Sequence, residues 1–210
     1  MDAEYDLTST ELALWQLPEA VVLAHLRSAI QTTPMTCLRH PHGFYVMLLK
    51  RTPQEEWRVH LWLEGERIIS GMPARIHTHE SHVKSRLLKG KLTNINYHAR
   101  EVSTGGQPLY EVSYHGDKYV KDTSNLLRRT GTRLHLEEAA RLEMIAGDRY
   151  MVERHTFHEA IVPANEVTIT LICLHGHESG PVKVLGVDGH PEEIQFERTD
   201  VHPHDLLYAF

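Results

Sequence analysis

Between residues 44 and 187 the chain is a succession of short runs of strand composition, separated by turn signals such as TGGQP, HGD, AGD and GHESGP. The runs fall at 44–49, 57–63, 85–88, 91–97, 109–114, 133–136, 149–153, 159–162, 167–174 and 182–187. Many short strands at this spacing, without a sustained alternation of strand and helix, argue against a doubly wound parallel sheet. They predict a mainly β protein built as a closed barrel or a two-sheet jelly roll. Both architectures protect their sheet edges and surround a pocket with inward side chains. One piece, LEEAARLEM at 136–144, fits either a short helix or an extended run.

The strands follow two helical patterns. The first spans 7–17, with Thr8 or Ser9 as its cap. The second spans 19–30, is entered through Pro18 and carries Val22, Leu23, Leu26 and Ile30 on one face. The expected organisation is one domain, with a helical cap over 1–38 and a barrel over 39–210. The tail, ERTDVHPHDLLYAF, is polar and then apolar, and is expected to pack on the barrel or on another subunit, so a monomer and a homodimer both remain open.

Composition narrows the partners. The net charge is -6 and the basic residues are scattered, so no stripe exists to neutralise phosphates, and nucleic acid is not an expected partner. No run of eighteen apolar residues is present to cross a membrane as a helix. The acidic N-terminus has no basic start followed by an apolar run, and the expected compartment is the cytoplasm. There, Cys37 and Cys173 are expected to be free thiols.

Histidine is the outlier, with 17 copies. In a strand, residues i and i+2 point to one face, so His77 and His79 of IHTH present two imidazoles side by side. A third histidine from a neighbouring strand would complete a facial metal site, and HTFHEAIVP at 155–163 is the natural supplier. On a regular strand His155 and His158 face opposite sides, so only one of them would reach the metal. The HPH segments at 40–42 and 202–204 read as turns, and His60 as either an inward or a core residue.

Gly71, five residues, HTH and then a strand ending at Gly90 resemble the first motif of the cupin superfamily, and GDRYMVERHTFHEAIVPANEVTITLICL resembles the second. The resemblance covers roughly residues 40–188 and implies a double-stranded β-helix with His77, His79 and His158 as metal ligands. The usual cupin carboxylate falls at Val83, and Glu80 has the wrong spacing, which leaves three histidines and no acid. That combination is most similar to the cysteine dioxygenase-like, or thiol dioxygenase, branch.

The branch resemblance implies an iron(II) dioxygenase acting with O2 on a small metal-coordinating substrate, a thiol being the first choice. Zinc, nickel, manganese and copper are also compatible with imidazole donors. CLHGH at 173–177 lies where the branch carries a Ser-His-Tyr relay, which makes His175, with His177 and Tyr150, the candidates for proton movement. His82, His155, Tyr45, Trp62 and Cys173 are candidate pocket residues. Two features depart from the branch. Val83 and His177 stand where it forms a thioether crosslink, and Met47 stands where it has a carboxylate-binding arginine, leaving Arg58, Arg75 or Arg86 to substitute. The rival readings are a metal-dependent isomerase, epimerase, lyase or carbon-carbon cleaving dioxygenase, and a metal-dependent binding protein.

Overall fold

The computed structural model describes residues 13–65, 74–114 and 125–210. Residues 7–12 of the first expected helix, and Gly71 of the first motif, lie outside them; residues 13–16 are helical. Helix α1 (Glu19–Thr32) buries Val22, Leu26 and Ile30, as its spacing predicts. Thirteen strands follow among the described residues: β1 (Cys37–Arg39), β2 (Tyr45–Arg51), β3 (Glu55–Trp62), β4 (His82–Lys89), β5 (Lys91–Glu101), β6 (Gln107–Ser113), β7 (Asn125–Ile145), β8 (Arg149–Val152), β9 (Phe157–Ile161), β10 (Thr168–His175), β11 (Val182–Leu185), β12 (Glu193–Phe196) and β13 (Thr199–Asp200). A 3-10 helix, Pro203–Ala209, ends the chain.

The strands form two antiparallel sheets. One runs β13-β1-β2-β3-β10-β4-β8 and the other β11-β6-β7-β5-β9, with β12 also on β7. Together they make the jelly roll of a double-stranded β-helix. Gly90 is the corner at which the chain leaves the first sheet for the second. Its φ is 80°, and a Cβ there would lie 2.5 Å from the carbonyl oxygen of Val167, so the turn between β4 and β5 requires glycine on both counts. The segment 136–144 is extended. It pairs with β5 from Leu136↔Ala99 to Met144↔Leu92, and this ladder overrides the helix-forming tendency of its Glu and Ala residues.

The first sheet is covered on both faces. On β3, Trp57, Val59 and Leu61 pack with Ile169, Leu171 and Cys173 of β10 against α1 and the 3-10 helix. The alternate residues look between the sheets, where Ile172 and Leu174 meet Val83 and Val152. Arg86, 2% exposed on β4, fastens the helical layer by donating to the carbonyl oxygens of Leu14 (2.8 Å) and Leu17 (2.6 Å) and pairing with Glu19. The hydrogen bond from Arg86 holds the Glu19 carboxyl below its ordinary range. The C-terminal tail packs on this same layer through Leu206 and Ala209, and Lys89 donates to the Ala209 carbonyl oxygen at 2.7 Å.

Candidate metal centre

Residues 76–79 are laid between the two end strands of the second sheet. The backbone N–H of His77 donates to the His158 carbonyl at 3.0 Å, and His158 returns the bond at 3.0 Å. On the other side Thr78 N–H donates to Lys183 O (2.9 Å) and Leu185 N–H to Ile76 O (2.9 Å). The segment therefore bridges β9 to β11 and nearly closes that sheet into a barrel. Because it is extended, His77 and His79 share a face, with ring centroids 4.7 Å apart.

The ring of His158, from β9, lies 4.9 Å from that of His77 and 5.1 Å from that of His79. One nitrogen from each of the three lies within 4.8 Å of the others, so the group could hold a metal ion. No carboxylate joins it among the described residues. His79 Nε2 is 3.0 Å from His158 Nε2, a spacing suited to two donors on one cation.

Hydrogen bonds on the far side of two rings decide which nitrogen is left to face a metal ion. His77 Nδ1 lies 2.7 Å from the Arg75 carbonyl oxygen. A carbonyl can only accept, so Nδ1 carries the proton and Nε2 presents its lone pair. His158 Nδ1 is 2.9 Å from Asn94 Oδ1, and Asn94 Nδ2 donates to Asn96 Oδ1 at 2.9 Å, which fixes the amide with its oxygen toward the imidazole. Asn94 is 1% exposed and went unnoticed in the sequence, where a polar residue in β5 carries no signal of its partner. Replacing Asn94 by Ala is expected to weaken metal binding about 10–100-fold, read by competition with a chelating dye, while the fold persists by far-UV circular dichroism.

Burial holds the His77 imidazole below its ordinary pKa, and the His79 and His158 imidazoles well below it, with neighbouring positive groups acting in the same direction. Their lone pairs are thus free for a metal at neutral pH. His155 stands apart. It adopts φ 62° in the turn before β9, leaves its side chain 42% exposed, and lies 3.9 Å from the Glu178 carboxylate. The left-handed turn, and not simple strand alternation, separates it from His158.

Several expected pocket residues lie elsewhere. His175 has the parity of Cys173 and Leu171 on β10, so it leaves the strand on the face turned toward the helical layer and stacks on His82 at 5.3 Å. His175, Cys173 and His82 therefore do not line the cavity beside the three histidines. Burial pushes the Cys173 thiol up to about 11, as suits an inert packed residue. Tyr45 also packs on the helical side. Tyr150 does face inward, beside Val83, Val152 and Leu174, and burial pushes its phenol up to about 12, but it is not among the residues lining the cavity.

His177 is the member of CLHGH that reaches the cavity, because Gly176 at φ 62° ends the alternation of β10. Trp62 lines a narrow side pocket with Phe44 and His77. Of the three candidate arginines, Arg86 is engaged with the helical layer and Arg75 borders the side pocket. Arg58 lines the cavity itself, 6% exposed, with Nη1 3.3 Å from Glu56 Oε1. The cavity measures about 80 Å³, and His40, His42 and Arg198 also border it. Those three were missed because the turn reading of HPH and the polar tail said nothing of where their side chains go.

No protein-family model and no curated protein matches this sequence. Among solved structures it is similar to a conserved protein with a double-stranded β-helix domain from Klebsiella pneumoniae, at 12% identity and a TM-score of 0.36, over 69% of this chain and 84% of that one. It is similar to a cupin-2 domain protein of Rhodospirillum rubrum at 12% identity and a TM-score of 0.34, over 71% and 67%. It is also similar to hydroxypropylphosphonic acid epoxidase from S. wedmorenis at 15% identity and a TM-score of 0.36, over 68% of this chain and 55% of that one. The first of these neighbours carries a double-stranded β-helix domain and the second a cupin-2 domain.

Proposed function

We propose that the protein is a mononuclear iron(II) oxygenase, with the metal held by His77, His79 and His158, and that it joins O2 to a small anionic, metal-coordinating substrate, a thiol being the first candidate. The observation that carries this reading is the donor set: three imidazoles converge beside a small cavity lined by two of them, and no carboxylate joins the group among the described residues. Neutral donors leave the charge of a divalent cation uncompensated, so an anionic donor from the substrate is favoured at the open positions. When bound, iron would supply the redox chemistry with dioxygen. The chain supplies the rest.

Arg58 adds positive potential, which acts on His77 and His79, and gives a second anionic group of the substrate a place to bind. Val112, Leu174, Val184 and Phe196 wall the cavity with apolar surface and limit water around the reacting groups. Asn94 and the Arg75 carbonyl hold two of the rings in the coordinating tautomer. The same neutral donor set also suits zinc as a Lewis acid, which supports a second reading as a non-redox metal enzyme.

The test is the metal content of protein purified without oxygen and without a histidine tag, measured by elemental mass spectrometry and followed by oxygen-uptake assays with small thiols. About one equivalent of iron with thiol-dependent uptake is expected. Zinc, nickel or manganese, with turnover that needs no oxygen, would favour the second reading, and metal-free protein that takes up none of these ions would refute both.

A further inference from the structure

The turn between β1 and β2 delivers an imidazole to the candidate metal centre from a part of the chain remote from all three ligands. The backbone of His40 donates to Phe44 O at 2.7 Å, Gly43 donates to His40 O at 2.8 Å, and Gly43 takes φ 81°, so the turn is tight. The His40 ring stacks on Phe44 at 4.4 Å and 12°, and its Nδ1 accepts the backbone N–H of His42 at 3.2 Å. These contacts direct the His42 side chain inward. It is 8% exposed, and its ring packs edge-on at 4.8 Å from the ring of His77.

His42 borders both the cavity beside His77 and His79 and the side pocket beneath His77. Its Nε2 is buried without a hydrogen-bond partner among the described residues. A buried imidazole nitrogen left unpaired costs stability unless a ligand completes it. Its nitrogens are not part of the three-histidine group. His60 provides a contrast: its Nε2 is also unpartnered, but its ring is packed against Phe44 and Trp62 and borders neither the cavity nor the side pocket.

We propose that His42 hydrogen-bonds the ligand that occupies the open side of the three-histidine centre, the part that the resemblance assigns to His175. The inference rests on the metal-binding reading above and adds a residue that touches the ligand without coordinating the metal. A hydrogen bond between His42 Nε2 and a metal-held anion would be charge-assisted, and such bonds are the stronger class.

The test uses the cobalt(II)-loaded protein, with azide as the anionic probe and the visible spectrum of cobalt as the readout. His42→Phe is expected to bind one equivalent of cobalt as the unaltered protein does, yet to bind azide about tenfold more weakly, equivalent to about 1.4 kcal/mol. His42→Gln, whose amide can still donate, is expected to recover most of that loss and guards against a folding defect in the Phe variant. His60→Phe is expected to leave azide affinity unchanged. Equal azide affinity in His42→Phe, or an equal loss in His60→Phe, would overturn the proposal, and loss of cobalt in His42→Phe would make His42 a fourth ligand instead. Failure of the unaltered protein to bind cobalt would overturn the metal reading and this inference with it.

Discussion

Alanine at His79 or at His158 is expected to abolish stoichiometric metal binding, whereas His155→Ala retains it. Each of the first two removes one of the three proposed donors, and among the described residues no carboxylate stands within the group to replace it. The loss should exceed the roughly 10–100-fold that removal of an outer hydrogen-bond partner costs. His155 is turned toward Glu178 by its left-handed backbone, so its removal takes nothing from the site. Metal per chain, measured after gel filtration, reads the result. Retained metal in His158→Ala with loss in His155→Ala would reverse the assignment of the third ligand.

The second large effect concerns acid. In the folded protein burial holds His40, His42, His60, His79 and His158 well below the ordinary imidazole pKa, and His77 below it. The unfolded chain takes up these protons as pH falls through about 6.5, and the native state does not. More protons on the unfolded state means that stability rises with pH, so the stabilisation is present above pH 6.5 and is lost below it. Each such group contributes a slope of about 1.4 kcal/mol per pH unit once the unfolded chain is fully protonated. Several such groups act in the same direction, so the loss is large against the stability of a typical domain. The metal-free protein is therefore expected to lose stability steeply as pH falls below about 6.5, and saturating metal should delay the fall by holding three of the lone pairs. Thermal denaturation from pH 8 to 4.5 measures it, and a midpoint that stays level to pH 5 would mean that these imidazoles protonate freely in the native state.

Much of this arrangement is legible along the chain. The helix over 19–30 follows from Val22, Leu26 and Ile30, and each of the ten strand-like runs falls on a strand. The shortest strands, β1 and β13, carry too few residues to show a period. The pairing of His77 with His79 follows from the geometry of any extended segment.

Period two says which residues share a face, but not which face looks inward. That ambiguity is greatest where both faces of a strand are covered, and β10, ITLICL flanked by Thr168 and His175, is apolar on both. Helix α1 and the 3-10 helix cover one side and the second sheet covers the other, so only their packing sends His175 outward. Two left-handed residues, His155 and Gly176, then reset the alternation, which places His158 and His177 at the site in preference to their neighbours. Local sequence therefore determined the elements and the histidine pair that share a strand. Tertiary structure decided the inward faces and the arrival of Asn94, Arg58 and His42, because those depend on which layers cover a strand and on contacts between residues far apart in the chain.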